Sequence, residues 1–133
     1  MALPRKILVV DDEPELCELL SMQLEMEGFA ILKADGGNEA FRLFLAETID
    51  LIISDIRMPK GSGIDLLKQV RQSAKAHVPV ILMTGFSDTK PEEAMRLGAS
   101  ALLTKPFTFE LLAEKIHVLL RKSGTSHGAV PKV

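Results

Sequence analysis

The sequence has few residues that could form covalent or metal-bound cross-links, since Cys17 is its single cysteine. One cysteine excludes an internal disulfide and a metal centre built from several cysteines. Because free cysteine is usually buried and Cys17 lies in a helical pattern, we expect a small buried side chain there rather than a reactive thiol. Tryptophan and tyrosine are absent, so their intrinsic fluorescence cannot report on binding.

The chain also lacks long apolar runs and a strong net charge. No apolar run reaches the roughly 18 residues that a membrane-spanning helix needs, and the first six residues do not contain the apolar segment of a secretory signal. The formal net charge is -2 at pH 7, which gives no electrostatic reason to expect direct contact with nucleic acid. We therefore expect a cytoplasmic protein that contacts neither membrane nor nucleic acid directly.

What the chain does contain is a regular alternation of two patterns. Short β-branched apolar runs predict strands at 6–10, 29–34, 51–55, 78–83 and 101–104. Segments with helical spacing follow each of them, and the connections are short. This alternation favours a doubly wound α/β fold with five parallel strands and five helices. Residues 5–122 are assigned to this domain, and residues 123–133, which have no periodicity, to a C-terminal tail or linker.

Helix ends and core positions follow from the same patterns. Ser62 and Thr108 are interpreted as N-caps of the third and fifth helices, and Gly28 and Gly98 as stop signals for the first and fourth. The apolar positions of the helices, together with the methionines, predict core side chains, which include Leu16, Leu19, Leu24, Leu45, Leu111, Met22, Met26, Met83 and Met95.

Polar side chains follow four of the five predicted strands. Asp11 and Asp12 follow the first strand, Asp55 ends the third, Thr84 the fourth, and Lys105 follows the fifth. Ligands bind beyond the carboxyl ends of strands in open parallel sheets, and in the flavodoxin-like order 2-1-3-4-5 the first and third strands are neighbours. That order brings three carboxylates together. Such a cluster must either raise its pKa values or bind a cation.

Oxygen ligands without histidine or cysteine indicate a hard cation. Mg²⁺ suits this set, because it binds one or two carboxylates and completes its shell with waters and phosphate oxygens. One Mg²⁺ and the Lys105 ammonium would balance the charge of three carboxylates. A carboxylate beside a metal ion and an ammonium can attack phosphorus, so Asp55 is predicted to become an acyl phosphate. The Thr84 hydroxyl would then donate to the phosphoryl oxygens and move the following loop.

The ordered set of strand-end motifs resembles the receiver domain of bacterial two-component response regulators over nearly all of the predicted domain. The motifs are Asp11-Asp12, Asp55-x-x-Met58-Pro59-x-x-x-Gly63, Thr84-Gly85 and Lys105-Pro106-Phe107. The resemblance implies a protein that is not an enzyme acting on a separate substrate. Asp55 would accept phosphate from a sensor histidine kinase, a histidine phosphotransfer protein or a small donor. A changed surface around the fourth helix, fifth strand and fifth helix would then control an output domain or partner.

The resemblance also implies individual roles. Asp12, Asp55 and the main-chain carbonyl of Arg57 would bind Mg²⁺ directly, and Asp11 would act through a water molecule. Lys105 would contact the phosphoryl group, Thr84 would be the switch residue, and the Lys105-Pro106 bond would be cis. Phosphorylation-dependent homodimerisation is a further expectation, whereas the cognate kinase and the output are not identified.

Receivers often carry an aromatic residue three positions before the lysine, and here that position is Leu102. An inward movement of an aromatic ring is therefore not expected in this chain. Gly85 replaces the alanine that is more frequent in receivers, which should loosen the loop after the fourth strand.

Two other functions remain open at this point. One is a receiver-like docking module that never becomes phosphorylated, against which the complete acidic set argues. The other is an aspartate-nucleophile phosphohydrolase. Hydrolases similar to the haloacid dehalogenases place their nucleophile in an Asp-x-Asp turn after the first strand, whereas Asp11 and Asp12 are adjacent here. His77, His117 and His127 are interpreted as surface residues, and Lys60 as a solvated loop charge.

The resemblance generates a prediction about the lifetime of the acyl phosphate. In receivers, the rate of self-dephosphorylation is associated with the residues two positions after the phosphorylated aspartate and two positions after the threonine. In this chain these residues are Arg57 and Phe86. A bulky Phe86 would restrict the attacking water, so Phe86→Ala should shorten the lifetime of phosphorylated Asp55. Intact mass spectrometry after removal of the phosphodonor measures the decay, and an unchanged rate would refute the role of Phe86.

Overall fold

The computed structural model describes residues 3–85 and 90–124. Within them the strands are β1 (Lys6–Val10), β2 (Ala30–Ala34), β3 (Leu51–Asp55), β4 (Val80–Thr84) and β5 (Ala101–Thr104). The helices are α1 (Pro14–Met26), α2 (Gly37–Ala46), α3 (Gly63–Arg71), α4 (Pro91–Arg96) and α5 (Phe109–Gly124). Strands and helices alternate along the described chain, as predicted.

The five strands form one sheet in the order β2-β1-β3-β4-β5, and every neighbouring pair is parallel. The predicted fold class and strand order are therefore confirmed. Each residue of β3 and β4 is buried, because helices cover both faces of the sheet. On one face Leu8 and Ile52 pack against Phe44 and Leu67 of α2 and α3, and the other face packs against α1 and α5.

The predicted helix ends agree with the local geometry. The Ser62 Oγ atom accepts a hydrogen bond from the Asp65 N–H group at 3.1 Å, and Thr108 Oγ1 accepts one from the Leu111 N–H group at 3.1 Å. Gly28 and Gly98 follow α1 and α4 with positive φ angles. Helix α5 reaches Gly124, and residues 125–133 lie outside the described residues, so the division after residue 122 stays a prediction.

None of the helices formed by the described residues is both long and apolar enough to cross a membrane.

Several apolar side chains that were predicted to lie in the core are exposed, and for these the prediction was wrong. They are Leu16, Leu19, Met22, Met26, Leu45, Met95 and Leu111. Helix α1 buries Cys17, Ser21 and Leu24 instead. Its apolar residues occupy more than one side of the helix, and only one side faces the sheet. Met83 and Cys17 are buried as predicted.

Helix α1 offers a direct test of this division. Leu24 is 0% exposed and Met26 is 86% exposed. Leu24→Ala should lower the free energy of unfolding by about 2–5 kcal/mol, because it leaves a cavity in the core. The matched control Met26→Ala should change it by no more than about 0.5 kcal/mol. Urea denaturation followed by circular dichroism measures both free energies of unfolding. Equal losses in the two variants would contradict a buried Leu24 and an exposed Met26.

Candidate functional site

The candidate site lies at the carboxyl edge of the sheet. Asp55 is the last residue of β3, and Asp11 directly follows β1. Val10 of β1 is in register with Ser54 of β3, so the two aspartates leave neighbouring strands at the same level. The Lys105 N–H group donates to the Thr84 carbonyl oxygen at 2.8 Å, which holds the end of β5 beside the end of β4.

Three carboxylates converge at this edge, as the strand order predicts. Asp11, Asp12 and Asp55 each have a carboxylate oxygen within 4.8 Å of the others. Asp11 is 4% exposed and Asp55 is 9% exposed, whereas Asp12 is partly exposed. Negative charge is therefore concentrated where little water can reach it.

The pKa of the Asp11 carboxyl is raised, chiefly because burial disfavours its charged form. The Glu13 N–H group donates to Asp11 Oδ1 at 3.0 Å and opposes this shift, and the nearby charge of Asp55 adds to it. The Glu13 contact was not predicted, because it depends on the path of the chain between β1 and α1. The neighbouring groups thus leave the negative charge of Asp11 undercompensated.

Lys105 provides positive charge at the site. Its Nζ atom lies 3.0 Å from Asp55 Oδ1, and the lysine side chain is 31% exposed. Burial alone would lower the pKa of Lys105, but the hydrogen bond to Asp55 and the charges of Asp55, Asp11 and Glu13 outweigh it, so the pKa is raised. Lys105 therefore stays an ammonium and compensates part of the charge of three carboxylates.

This donor set fits a hard divalent cation. The three carboxylates supply oxygen ligands only, and their oxygens are close enough to share one ion. A divalent ion would also stabilise the charged form of Asp11, whose pKa is raised chiefly by burial and to a smaller extent by the charge of Asp55.

Gly63 holds α3 close to the end of β3. Its N–H group donates to the Ile56 carbonyl oxygen at 2.9 Å, and a Cβ atom at this position would overlap the Asp55 carbonyl oxygen. No larger residue fits without moving the main chain of Asp55. The last position of the predicted Asp55 motif therefore has a packing reason.

Thr84 is 3% exposed at the end of β4, and its Oγ1 atom donates to the Gly85 carbonyl oxygen at 2.9 Å. Leu102 of β5 is partly buried and packs against the core between the sheet and helices α2 and α3. The Lys105-Pro106 bond is cis, which confirms the expectation drawn from the resemblance. Phe86 lies outside the described residues.

The other singled-out residues lie away from this edge or on the surface. His77 is exposed, and His117 Nε2 is 3.7 Å from Glu27 Oε1 at a half-exposed position. Their interpretation as surface residues is confirmed, whereas His127 lies outside the described residues. Lys60 is exposed and its Nζ atom is 3.2 Å from Asp35 Oδ2.

A cavity of about 600 Å³ opens beside Asp11 and Asp12 and extends along Lys33 and Asp35. It gives small molecules access to the carboxylates of Asp11 and Asp12. Sequence reasoning missed it, because its size depends on the spacing between α1, β2 and the start of α2.

Comparison with known proteins places these residues in a family context. Residues 7–117 match the response regulator receiver domain. The transcriptional regulatory protein CpxR of Escherichia coli (strain K12) is 44% identical over 119 residues, covering 89% of this chain and 50% of that protein. The alkaline phosphatase synthesis transcriptional regulatory protein PhoP of Bacillus subtilis is 37% identical over 124 residues, covering 90% of this chain and 50% of that protein. The chain thus spans about half the length of these curated relatives.

Solved structures agree with these matches. A response regulator receiver domain protein from Clostridium thermocellum superposes with a TM-score of 0.84 at 34% identity, covering 90% of this chain and 97% of that one. The chemotaxis response regulator CheY4 of Vibrio cholerae superposes with a TM-score of 0.78 at 29% identity, covering 87% of this chain and 98% of that one. The matching proteins are regulators, which supports the expectation that the chain does not act on a separate substrate.

The concentration of carboxylates generates a stability prediction. Asp11→Asn keeps an oxygen that can accept from the Glu13 N–H group but removes a buried charge. In EDTA this variant should melt above the wild type, by roughly 2–8 °C for each kcal/mol gained. Added Mg²⁺ should raise the melting temperature of the wild type more than that of the variant. Thermal unfolding by circular dichroism checks both, and a lower melting temperature of the variant in EDTA would contradict a net cost of the Asp11 charge in the folded protein.

Proposed function

The chain belongs to the response regulator receiver domain family, and we propose that residues 5–122 accept a phosphoryl group on Asp55 and thereby control an output domain or partner. The observation that carries the proposal is the position of Asp55. Its carboxylate lies within 4.8 Å of those of Asp11 and Asp12, and its Oδ1 atom is 3.0 Å from Lys105 Nζ. A carboxylate nucleophile, acidic neighbours that can hold a metal ion and a nearby ammonium together suit phosphoryl transfer to a carboxylate.

Each residue has a distinct role in this proposal. A carboxylate oxygen of Asp55 forms the new bond to phosphorus, while the donor leaves with the electron pair of its own bond to phosphorus. The Lys105 ammonium neutralises a phosphoryl oxygen. Asp12, Asp55 and the Arg57 carbonyl would hold Mg²⁺ directly and Asp11 through water. When bound, that ion supplies charge neutralisation at the phosphoryl oxygens.

Thr84 provides the proposed link between phosphorylation and the surface. Its hydroxyl donates to the Gly85 carbonyl oxygen and would exchange this partner for a phosphoryl oxygen. Leu102 has neither a hydroxyl nor a flat ring, so we propose that the movement is carried by the chain after β4. It would reach the surface of α4, β5 and α5.

The partners follow from the family and remain part of the proposal. The phosphodonor would be a sensor histidine kinase or a histidine phosphotransfer protein in the cytoplasm, and phosphorylation would favour a homodimer. The Escherichia coli and Bacillus subtilis relatives are named transcriptional regulatory proteins, so we propose control of transcription as the output. Direct contact of these 133 residues with nucleic acid is still not expected.

Phosphorylation can be tested with a small donor. Incubation with acetyl phosphate or phosphoramidate and Mg²⁺ should add the mass of one phosphoryl group, because one carboxylate, that of Asp55, is the proposed nucleophile. Asp55→Asn should abolish the addition, and the matched control Asp65→Asn, an exposed acid in the first turn of α3, should retain it. Intact mass spectrometry measures the product.

The outcomes of this experiment separate the three functions. Addition that survives Asp55→Asn would contradict the proposed phosphoacceptor. The absence of modification by either donor or by a histidine kinase would favour a docking module, and rapid multiple turnover of the donor would favour a phosphohydrolase. EDTA should prevent the addition in the wild type, since Mg²⁺ is proposed to neutralise the phosphoryl oxygens.

A further inference from the structure

The loop between β3 and α3 (residues 56–62) contacts the start of α2 through main-chain atoms. The Gly37 N–H group donates to the Gly61 carbonyl oxygen at 2.8 Å, and the Asn38 N–H group donates to the Lys60 carbonyl oxygen at 3.0 Å. The N-cap residue of α2 is Gly36, which has no side chain to accept from these N–H groups. The loop carbonyls therefore cap α2, and α2 in turn fixes the loop.

This contact requires glycine on both sides. A Cβ atom at Gly36 would lie 2.5 Å from the Lys60 carbonyl oxygen and 2.7 Å from Lys60 Cβ. The φ angle of Gly36 is -176°, an extended conformation that any residue can adopt, so only the close approach demands glycine there. Gly61 has a φ angle of +104°, and a Cβ atom on it would lie 2.8 Å from the Asn38 nitrogen.

The other end of the loop is held by the core. The Ile56 N–H group donates to the Met83 carbonyl oxygen at 3.0 Å, and the side chains of Ile56 and Met58 are 5% and 7% exposed. Arg57 lies between these two buried residues. The loop is thus held at Ile56 by β4 and the core and at Lys60 and Gly61 by α2, and Arg57 lies between these points.

We propose that the turn at Gly36 and Gly37 is a positioning element for the Arg57 carbonyl, which it holds at the edge of the Asp55 site. This inference rests on the proposed function, in which that carbonyl is a ligand of Mg²⁺. Gly36 and Gly37 are positioning residues, because they act through the loop. If the loop shifts, the site keeps its three carboxylates but loses the fixed direction of the main-chain ligand.

The exposed ion pair between Lys60 and Asp35 does not explain the fixed loop. Both side chains are more than half exposed, at 69% and 59%, and ion pairs of this kind contribute little. The main-chain contacts are therefore the interactions to perturb.

The test uses Gly36→Ala, with Gly28→Ala as a matched control. A methyl group at Gly28 would meet no atom of the described chain within 4 Å, and its cost comes from the φ angle of +101°. Both variants should lose stability, but only Gly36→Ala should disturb the loop. We expect Gly36→Ala to weaken Mg²⁺ binding by about 10-fold and Gly28→Ala to leave it unchanged. Isothermal titration calorimetry without phosphodonor measures the affinity.

Amide hydrogen exchange in EDTA supplies a readout that does not depend on Mg²⁺. Exchange of the Gly37 and Asn38 amides, which donate to the Gly61 and Lys60 carbonyl oxygens, should be faster in Gly36→Ala than in Gly28→Ala when the two are compared at equal global stability. Wild-type Mg²⁺ affinity and wild-type exchange in a folded Gly36→Ala protein would overturn the inference.

A second variant keeps the inference testable if Gly36→Ala does not fold. Lys60→Gly lies at an exposed position and adds main-chain freedom to the loop, so it should weaken Mg²⁺ binding by about 2- to 5-fold. Unchanged affinity in Lys60→Gly would overturn the inference in that case.

The wild type separates this inference from the proposed function. If the wild type binds Mg²⁺ and is phosphorylated on Asp55 while the variants match it, only the positioning role fails. If the wild type accepts no phosphoryl group, the proposed function fails, and hydrogen exchange still reports whether α2 fixes the loop.

Discussion

The burial of like charges at the carboxyl edge of the sheet is the constraint on which the rest of this molecule depends. Asp11 and Asp55 leave neighbouring parallel strands at the same level, so the strand order and the register together bring their carboxylates close to each other. The Lys105 ammonium lies 3.0 Å from Asp55 Oδ1 and balances one of the three negative charges, and burial raises the pKa of the Asp11 carboxyl. A site with this excess of negative charge favours a divalent cation.

The apolar sheet is what keeps this arrangement in place. β3 and β4 are buried along their whole length, so their ends cannot move apart without exposing apolar surface. Gly63 then brings α3 against the Asp55 main chain, and Gly36 and Gly61 bring α2 against the following loop. Rigid elements therefore surround the loop that carries Arg57. Thr84 ends β4, and its hydroxyl donates to the Gly85 carbonyl oxygen at 2.9 Å.

The parts of this arrangement that follow from local pattern were predictable. The ends of the apolar runs correctly place Asp11, Asp55, Thr84 and Lys105 at strand ends, because a parallel strand buried on both faces leaves an unmistakable apolar run. Helical burial was predicted less well. Leu16, Leu19 and Met26 have apolar side chains but lie on sides of α1 that do not face the sheet, and periodicity alone cannot say which side packs. The contact between Gly36 and Lys60 joins distant segments, so no local pattern indicates it.

Leu102 bears on how a change at Asp55 can reach the surface. It packs against the same core as Phe44 and Leu67, so this β5 position already fills its space with an aliphatic side chain. Because residue 102 is leucine, a movement of Thr84 would not be accompanied by rotation of an aromatic ring at this position. Thr84 and Lys105 are joined by a main-chain hydrogen bond of 2.8 Å, and Lys105 also contacts Asp55. The ends of β3, β4 and β5 are therefore connected through Lys105, which contacts both Thr84 and Asp55.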